Sequence, residues 1–358
     1  MRQLRRFALL PSLILLLSSP AIAHAQNYTH IVVFGDSLSD TGNDARVFYN
    51  KYFAYFPGPI FDYTLGRFTD GYDTLPAAQN YKGVWVEQLA DMLPSKPQIE
   101  ASLDGGKNYA YGFAFTGGGT TVFDFTADSF TYSFIIDNVD LQITQYLATH
   151  PKIDDNTLFV LWAGANDVLN ATSTTEIVTA GINQAADLER LIDAGATQFV
   201  VPNLPPLGAI PRLNTLGPVA AEVTAETVLY NDTLAQGLDI VQDANSRKHL
   251  RIYPLDVFTL VNTIIASPSS FGLTDVTDSS QGLPVNPDRY LFWDGLHPTT
   301  HGHNIVAVAA DEMIKHHLCM VDKKEGWGNN RDEDVHDADG RCVLTDGDHA
   351  KQESGFIH

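Results

Sequence analysis

The stretch His30-Ile31-Val32-Val33-Phe34-Gly35-Asp36-Ser37-Leu38 decides the fold. Residues 31–34 are all apolar and rich in β-branched side chains, with no alternation of polar and apolar positions. Such a run is typical of a strand that is buried on both faces. A small polar turn, Gly35 to Ser37, follows at once and ends the strand. We therefore expect a parallel sheet that is covered on both sides.

The same pattern recurs along the chain at wide spacing. Similar apolar runs lie at 158–162, 199–201 and 250–253. Between them lie sequences with helical periodicity, at 84–93, 141–150, 175–194, 219–246 and 301–318. Strands that alternate with helices predict an α/β fold in which helices cover both faces of the sheet.

Two aromatic stretches interrupt this alternation. Residues 48–63 combine eight phenylalanines and tyrosines with Pro57, Gly58 and Pro59, which predicts a long aromatic loop, and a second aromatic stretch covers 123–134. One interpretation is that these stretches close the core. The other is that they line an apolar ligand pocket.

Composition excludes some classes of function. Of 358 residues, 44% are hydrophobic and 18% are charged, so the chain can fold around a core. Against 22 lysines and arginines stand 43 aspartates and glutamates, a formal charge of −21. Such a charge repels phosphate backbones and anionic membrane surfaces. We expect no nucleic-acid partner and no preference for anionic lipid.

The two ends of the chain are expected to lie outside the catalytic fold. Residues 1–25 have a basic start, an apolar run and the small-x-small pattern Ala23-His24-Ala25, which together indicate a secretory signal peptide. The apolar run is too short to be a stable membrane anchor. Residues 321–358 form an acidic, polar C-terminal tail. In an exported protein, Cys319 and Cys342 can form a disulfide, or they can remain free thiols.

Ser37 is the first candidate for chemistry. It lies at the carboxyl end of the first predicted strand, where open α/β sheets build their sites. Taken alone, the stretch fits other roles equally well. Asp36, Ser37 or Ser39 can cap a following helix. Asp36, Asp40 and Asn43 can ligate calcium, although the spacing and closing glutamate of an EF-hand are missing.

Asp294 and His297 are the second candidate, at the entrance to the last predicted helix. A serine nucleophile needs a base to accept its proton and an acid to orient that base. A carboxylate three residues before an imidazole can supply both from one turn. Alternatively, His297 is an ordinary helix-entry residue. His297, His301 and His303 can also be metal ligands, but no helical glutamate follows as in a zinc peptidase.

Asn166 is the third candidate, just after the predicted strand at 158–162. Acyl transfer builds negative charge on the carbonyl oxygen, and an amide side chain can donate a hydrogen bond to it. Asn166 and Asp167 are equally consistent with turn residues. The three candidates are weak one by one and strong together.

In these motifs the chain resembles the GDSL or SGNH serine hydrolases, a family of lipases and esterases. The matching blocks lie at 35–38, 164–167 and 294–298, with supporting matches at 66–71, 84–87 and 201–208. The resemblance implies a three-layer α/β/α sandwich around a central, mostly parallel five-stranded sheet, the flavodoxin-like SGNH hydrolase fold. It also implies one catalytic domain, which we place at residues 26–320.

One block departs from the family pattern. The family has a run Asn-x-Ala-x-Gly-Gly-Ala whose second glycine offers its backbone N–H to the oxyanion, and residues 108–114 read Asn-Tyr-Ala-Tyr-Gly-Phe-Ala. Strict spacing puts Phe113 at the donor position. We expect Gly112 to be the donor, because glycine allows the closest backbone approach. Phe113 and Gly117 are the alternatives.

The residues and the resemblance together imply a secreted esterase or lipase, extracellular or periplasmic, that needs no cofactor and no metal. Ser37 is the expected nucleophile, His297 the base and Asp294 its orienting acid. The N–H groups of Ser37 and Gly112 and the amide of Asn166 form the expected oxyanion hole. We expect a monomer that acts on small-molecule or lipid esters of short to medium acyl chains. An inactive ligand-binding protein and an acyltransferase are the alternatives.

Overall fold

The structure is a computed structural model that describes residues 27–70, 81–127 and 129–325, and two short strands at 335–336 and 342–343. From residue 316 onward it describes the backbone only. The predicted signal peptide, most of the predicted tail and the side chains of Cys319 and Cys342 therefore lie outside the described residues.

Strands and helices alternate over much of the chain. The strands are β1 (His30–Gly35), β2 (Thr120–Ala127), β3 (Phe130–Asp137), β4 (Thr157–Trp162), β5 (Gln198–Pro202), β6 (Arg251–Leu255), β7 (Asp275–Ser279), β8 (Tyr290–Phe292), β9 (Val335–His336) and β10 (Cys342–Val343). The helices are α1 (Asn43–Tyr52), α2 (Trp85–Met92), α3 (Val139–Thr149), α4 (Ala165–Asn170), α5 (Thr174–Asp193), α6 (Pro218–Ala244), α7 (Val257–Ala266) and α8 (Thr300–Glu325). Each apolar run and each helical pattern that the sequence predicted is a strand or a helix, within a few residues, except that α8 is longer.

The central sheet is parallel, with the strand order β1-β4-β5-β6. Every residue of β4 and β5 is buried, so both faces of the sheet are covered. Helix α5 packs against both α3 and α6, and α2 packs against α8. The α/β sandwich expected from the sequence is confirmed.

The fifth position of the sheet is filled by an extended segment at residues 107–111, next to β1. Val33 N–H donates to Lys107 O (3.1 Å), and Tyr109 N–H donates back to Val33 O (2.8 Å). Tyr111 N–H continues the pairing to Gly35 O (3.2 Å). The expected five-stranded sheet is thus built from four regular strands and one irregular edge segment.

The aromatic stretches form a second hydrophobic cluster beside the main core. The predicted loop at 48–63 is a helix, α1, up to Tyr52, and the stretch at 123–134 lies in the antiparallel β2–β3 hairpin. Phe48 is fully buried among the rings of Phe56 and Phe134. These residues close a core of their own, which agrees with the first of the two interpretations given to them.

A carboxyl group is buried at the edge of this aromatic cluster. Asp44, the second residue of α1, is fully buried, and neither of its carboxyl oxygens has a hydrogen-bond partner among the described residues. A Cβ atom on Gly112 would lie 2.4 Å from its Oδ2, so the space around it is filled. Burial raises the pKa of Asp44 well above its ordinary value, and the neighbouring Asp40 raises it further. Burial therefore favours the neutral form of Asp44 in the native protein.

We predict that Asp44 makes the protein less stable as the pH rises. Above about pH 4 the unfolded chain loses the Asp44 proton while the native state keeps it, so stability falls by about 1.4 kcal/mol per pH unit until the native group ionises. Asp44→Asn removes this dependence. Urea unfolding at pH 5 and pH 7 should show the variant gaining stability relative to wild type as the pH rises over that interval.

The matched control is Asp91→Asn, which changes an exposed aspartate on α2. Its curve of stability against pH should run parallel to that of the wild type. An Asp44→Asn curve that also runs parallel would show that Asp44 ionises normally in the folded protein. The amide of Asp44→Asn can lower the free energy of unfolding by a constant amount. Such an offset does not change the slope of that free energy against pH, which is the quantity compared.

Candidate active site

The end of β1 determines where Ser37 lies. Gly35 has φ +153°, and a Cβ atom on it would lie 2.2 Å from Trp162 O of β4, so the position requires glycine. The side chain of Gln142 on α3 holds the two peptide groups that flank Gly35, accepting from Gly35 N–H and donating to Gly35 O, both at 2.9 Å. Ser37 follows two residues later, at the carboxyl edge of the sheet.

A tight turn presents the Ser37 hydroxyl. Leu38 N–H donates to Asp36 Oδ1 (3.0 Å), and Ser39 N–H donates to the Asp36 carbonyl (3.0 Å). The backbone N–H of Ser37 has no acceptor among the described residues. Ser37 is buried, at 5% exposure, so this N–H is available to a bound ligand rather than to bulk water.

His297 joins Ser37 to Asp294. Its Nε2 lies 2.9 Å from Ser37 Oγ, and its Nδ1 lies 2.7 Å from Asp294 Oδ2. The tight loop that carries both residues follows β8 and is closed by Trp293 N–H, which donates to His297 O (2.8 Å). The structure thus brings together the three side chains for which the sequence predicted the roles of nucleophile, base and orienting acid.

Asp294 remains ionised although it is buried. Burial by itself would raise its pKa, but His297 beside it and several donated hydrogen bonds hold the pKa well below the ordinary range. Its Oδ1 accepts the N–H groups of Leu296 (2.7 Å) and His297 (2.6 Å), while its Oδ2 accepts the hydroxyl of Tyr63 (2.7 Å). An ionised carboxylate in this position favours the imidazole tautomer that carries its proton on Nδ1.

Asn166 lies beside the peptide that follows Phe113. It is the second residue of α4, and its Nδ2 donates one hydrogen bond to Ala114 O (3.0 Å), which leaves a second amide hydrogen. Phe113 has a left-handed backbone with φ +63°, and its N–H has no acceptor among the described residues. The left-handed conformation is one that glycine adopts most easily, which accords with a family motif that has glycine there.

The choice of Gly112 as an oxyanion donor is not supported. Gly112 N–H already donates to Asp40 Oδ2 (3.3 Å), so it is occupied. Gly117 lies beyond Thr116, whose N–H and hydroxyl are held by Asp167 (3.0 and 2.8 Å). Phe113 is therefore the better candidate among the three residues considered.

Two further carboxyl groups lie near each other beside Ser37, of which Asp36 is buried and Asp167 is partly buried. Burial raises the pKa of Asp36 to about 7, and Asp167 raises it further, while the hydrogen bond from Leu38 and the proximity of His297 oppose the shift. Burial also raises the pKa of Asp167. A neutral Asp36 next to Ser37 adds no full negative charge where an oxyanion would form.

An apolar cavity of about 50 Å³ opens beside Ser37 and Asn166. Its walls come from the loop after β5, from α7 and from α8, and include the aliphatic residues Leu207, Ile210, Val257, Val261, Ile264 and Val306. The aromatic loop residues 48–63 are absent from this lining. The interpretation that the aromatic stretches line the pocket at the nucleophile is thus wrong for this cavity.

The other interpretations of these residues do not fit the geometry. His297 faces Ser37, His301 Nδ1 contacts Asp288 O (2.6 Å), and His303 is buried with an unpartnered Nε2 among the described residues. The three histidines therefore do not converge on one point. Asp40 caps α1 by accepting the N–H of Asn43 (2.8 Å) rather than facing an open ligand site.

Sequence reasoning missed Tyr63 and Gln142. Both contact the site through side chains from distant parts of the chain, and neither stands in a motif near Ser37 or His297. Gln142 had a weak signal, a polar side chain on the apolar face of a predicted helix.

Among the described residues, no helix has both the length and the apolar character needed to cross a membrane.

Comparison with known proteins finds relatives at modest identity. A protein named phosphatidylcholine-sterol acyltransferase from Aeromonas hydrophila is 28% identical over 71% of this chain and 66% of its own length. Lipase 1 from Photorhabdus luminescens is 26% identical over 85% of this chain and 52% of its own length. A GDSL esterase/lipase of Arabidopsis thaliana is 27% identical over 77% of this chain and 84% of its own length. The chain thus spans between half and two thirds of the length of the two bacterial relatives.

A family model described as GDSL-like Lipase/Acylhydrolase matches residues 31–310. This span is most of the chain and contains the Ser37 turn, Asn166 and the loop with Asp294 and His297. On the strength of that match, and in agreement with the geometry at the end of β1, the chain belongs to the GDSL-like lipase/acylhydrolase family.

Proposed function

We propose that the protein is a serine esterase or lipase that hydrolyses carboxylic esters through an acyl-enzyme intermediate. One observation carries the proposal, namely the chain of contacts from Ser37 Oγ to His297 Nε2 (2.9 Å) and from His297 Nδ1 to Asp294 Oδ2 (2.7 Å). A nucleophile, a base and an orienting carboxylate within hydrogen-bond reach of one another are what acyl transfer by serine requires.

In the acylation step, Ser37 Oγ forms a bond to the ester carbonyl carbon while its proton moves to His297 Nε2. The bond from that carbon to the alcohol oxygen then breaks, and His297 returns the proton to the leaving alcohol. Asp294 stabilises the imidazolium that exists between these two transfers. In the second half of the reaction, water forms a bond to the acyl carbon while its proton moves to His297. The bond from that carbon to Ser37 Oγ then breaks, the acid leaves, and His297 returns the proton to Ser37.

The negative charge on the carbonyl oxygen needs donors that are in place before the reaction. The backbone N–H of Ser37, the backbone N–H of Phe113 and the second amide hydrogen of Asn166 are the three that we assign. Each lacks an acceptor among the described residues. Phe113 replaces our sequence-based choice of Gly112 in this assignment.

The substrate that fits best is an ester of a short to medium acyl chain. The cavity beside Ser37 is apolar and, at about 50 Å³, narrow. We further propose that the protein is exported, on the basis of the basic, apolar and small-x-small pattern within residues 1–25. A monomer remains our expectation.

Acyl transfer to an alcohol other than water is a second candidate function. It uses the same residues, and the relative from Aeromonas hydrophila has a name that states such an activity. Product analysis during ester turnover with added short alcohols separates transfer from hydrolysis. An inactive binding protein with the same fold is a third possibility, which the convergence of Ser37, His297 and Asp294 weighs against.

We predict that Ser37→Ala and His297→Ala abolish ester hydrolysis and leave the melting temperature close to that of the wild type. Wild type should be labelled by a fluorophosphonate probe, and Ser37→Ala should not. Ser39→Ala is the matched control, because the Ser39 hydroxyl accepts from Trp85 Nε1 (3.0 Å) and not from His297. A folded wild type that neither reacts with the probe nor hydrolyses esters would favour the binding protein.

We predict that Asn166→Ala lowers kcat by about 10²–10³-fold, the usual effect of losing one oxyanion donor. The KM should change much less, since the hydrogen bond strengthens in the transition state. Steady-state kinetics on a soluble p-nitrophenyl ester measure both. Asn170→Ala, on the same helix, removes an amide that donates to Asn166 O (2.8 Å) and should leave kcat near the wild-type value. Equal losses in the two variants would contradict the assignment.

We predict that kcat/KM is highest for short to medium acyl chains and low for palmitate in a series of p-nitrophenyl esters. Ile264→Ala should move the optimum to longer chains, because Ile264 lines the cavity and is almost fully buried. Ile240→Ala, at an exposed position of α6, is the control and should leave the profile unchanged. A wild-type optimum at palmitate, or faster turnover of anionic phospholipid vesicles than of soluble esters, would overturn this proposal.

A further inference from the structure

The hydroxyl of Tyr63 contacts the carboxylate that orients His297. Its oxygen lies 2.7 Å from Asp294 Oδ2, which is the same oxygen that faces His297 Nδ1. Tyr63 comes from the aromatic segment after α1, about 230 residues before Asp294 in the chain. Neither the family motifs nor the proposed mechanism accounts for a second donor on this oxygen.

Tyr63 is the donor in this contact. Asp294 is ionised and can only accept. Burial raises the pKa of Tyr63, and the charge of Asp294 raises it further, so the phenol keeps its proton. A hydrogen-bonded series therefore runs from Tyr63 through Asp294 to His297.

The segment that carries Tyr63 is bound to the loop that carries Asp294. Trp293 Nε1 donates to Asp62 O (3.0 Å), and Gln281 Nε2 donates to Phe61 O (3.3 Å). Gly282 N–H donates to the carboxylate of Asp62 (3.2 Å). Trp293, directly before Asp294, is 2% exposed. These contacts hold the phenol and the carboxylate in one rigid arrangement.

We infer that Tyr63 is a positioning residue for the proposed triad, which fixes the carboxylate of Asp294 and withdraws charge from its Oδ2, and the inference rests on the proposed function. An oxygen that accepts from two donors is a weaker acceptor toward each. Tyr63 thereby limits how strongly Asp294 stabilises the imidazolium of His297. It also restricts the carboxylate to the orientation that faces Nδ1.

The test is Tyr63→Phe, which removes one oxygen atom and keeps the ring. With that donor gone, Asp294 should stabilise the imidazolium more strongly, so the acid limb of kcat/KM against pH should move to higher pH, by about half a unit. The kcat at the optimum should fall about three- to tenfold, with KM nearly unchanged. The Nδ1 proton of His297 should shift in the ¹H NMR spectrum, a readout that does not depend on activity.

The other ionisable groups around the pair stay in place in this variant. They are Asp36 beside the nucleophile and His303 on α8, which both lie near His297, and Asp62 next to Tyr63. Tyr52→Phe is the matched control. This substitution also removes a partly buried hydroxyl from the aromatic cluster. That hydroxyl donates to Ser133 O (2.8 Å) and does not contact Asp294. Its acid limb and its Nδ1 signal should match those of the wild type.

A second modification tests the same role if Tyr63→Phe does not fold. Incorporation of 3-fluorotyrosine at position 63 keeps the hydroxyl and makes it a stronger donor, so the acid limb should move to lower pH, opposite to Tyr63→Phe. Shifts in opposite directions support the positioning role. An acid limb and an Nδ1 signal that stay at the wild-type values in both modified proteins would overturn it.

Failure of the proposed function has a different signature. In that case wild type shows no Ser37-dependent hydrolysis and no fluorophosphonate labelling. The Nδ1 signal of His297 and its titration still report on Tyr63, because the contact with Asp294 exists with or without turnover. An unchanged titration in folded Tyr63→Phe would then reject the positioning role by itself.

Discussion

The pairing of β1 with a neighbour on each side is the constraint on which the site depends. On one side β4 approaches so closely that only glycine fits at Gly35, and on the other the segment 107–111 is hydrogen-bonded along β1. Because all these segments run parallel, their carboxyl ends meet at one edge of the sheet. Ser37 follows the middle strand, Phe113 follows the outer segment, and Asn166 follows β4. The nucleophile is thus flanked by the two groups that we assign to the oxyanion.

Local environment separates two buried carboxyl groups that lie close to His297. Asp294 accepts two backbone N–H groups, the imidazole and a phenol, and these donors outweigh the cost of burying its charge. Asp36 has fewer donors and lies near another acid, so burial dominates and its pKa rises to about 7. In the proposed mechanism, Asp294 is thus charged where the imidazolium would form. Asp36 is more readily neutral where the oxyanion would form.

The aromatic cluster supports the site without lining the cavity at the nucleophile. It closes around Phe48 and is covered by the β2–β3 hairpin, and Phe68 at its border packs against His297 with ring centroids 5.1 Å apart. Tyr63 extends from the same region to Asp294. The main core and the aromatic cluster therefore meet at the triad, so that packing from both sides restricts the imidazole and the carboxylate.

The sequence alone was sufficient to predict the parallel sheet, its helices, and Ser37, Asn166, Asp294 and His297 as the site, which the structure brings together. The fold prediction is confirmed, because continuous apolar runs report burial on both faces. Asp294 and His297 could be named from the sequence because they share one turn, and the roles of the four site residues stay a prediction. Only the tertiary structure decided the β2–β3 hairpin, the aliphatic lining of the cavity and the contact of Tyr63 with Asp294. It also showed the bond of Gly112 N–H to Asp40, on which our proposal of Phe113 as the donor rests. Each depends on which partner a group meets from a distant part of the chain. Gly112 N–H is occupied because Asp40 lies opposite it, and no local pattern reports such a partner.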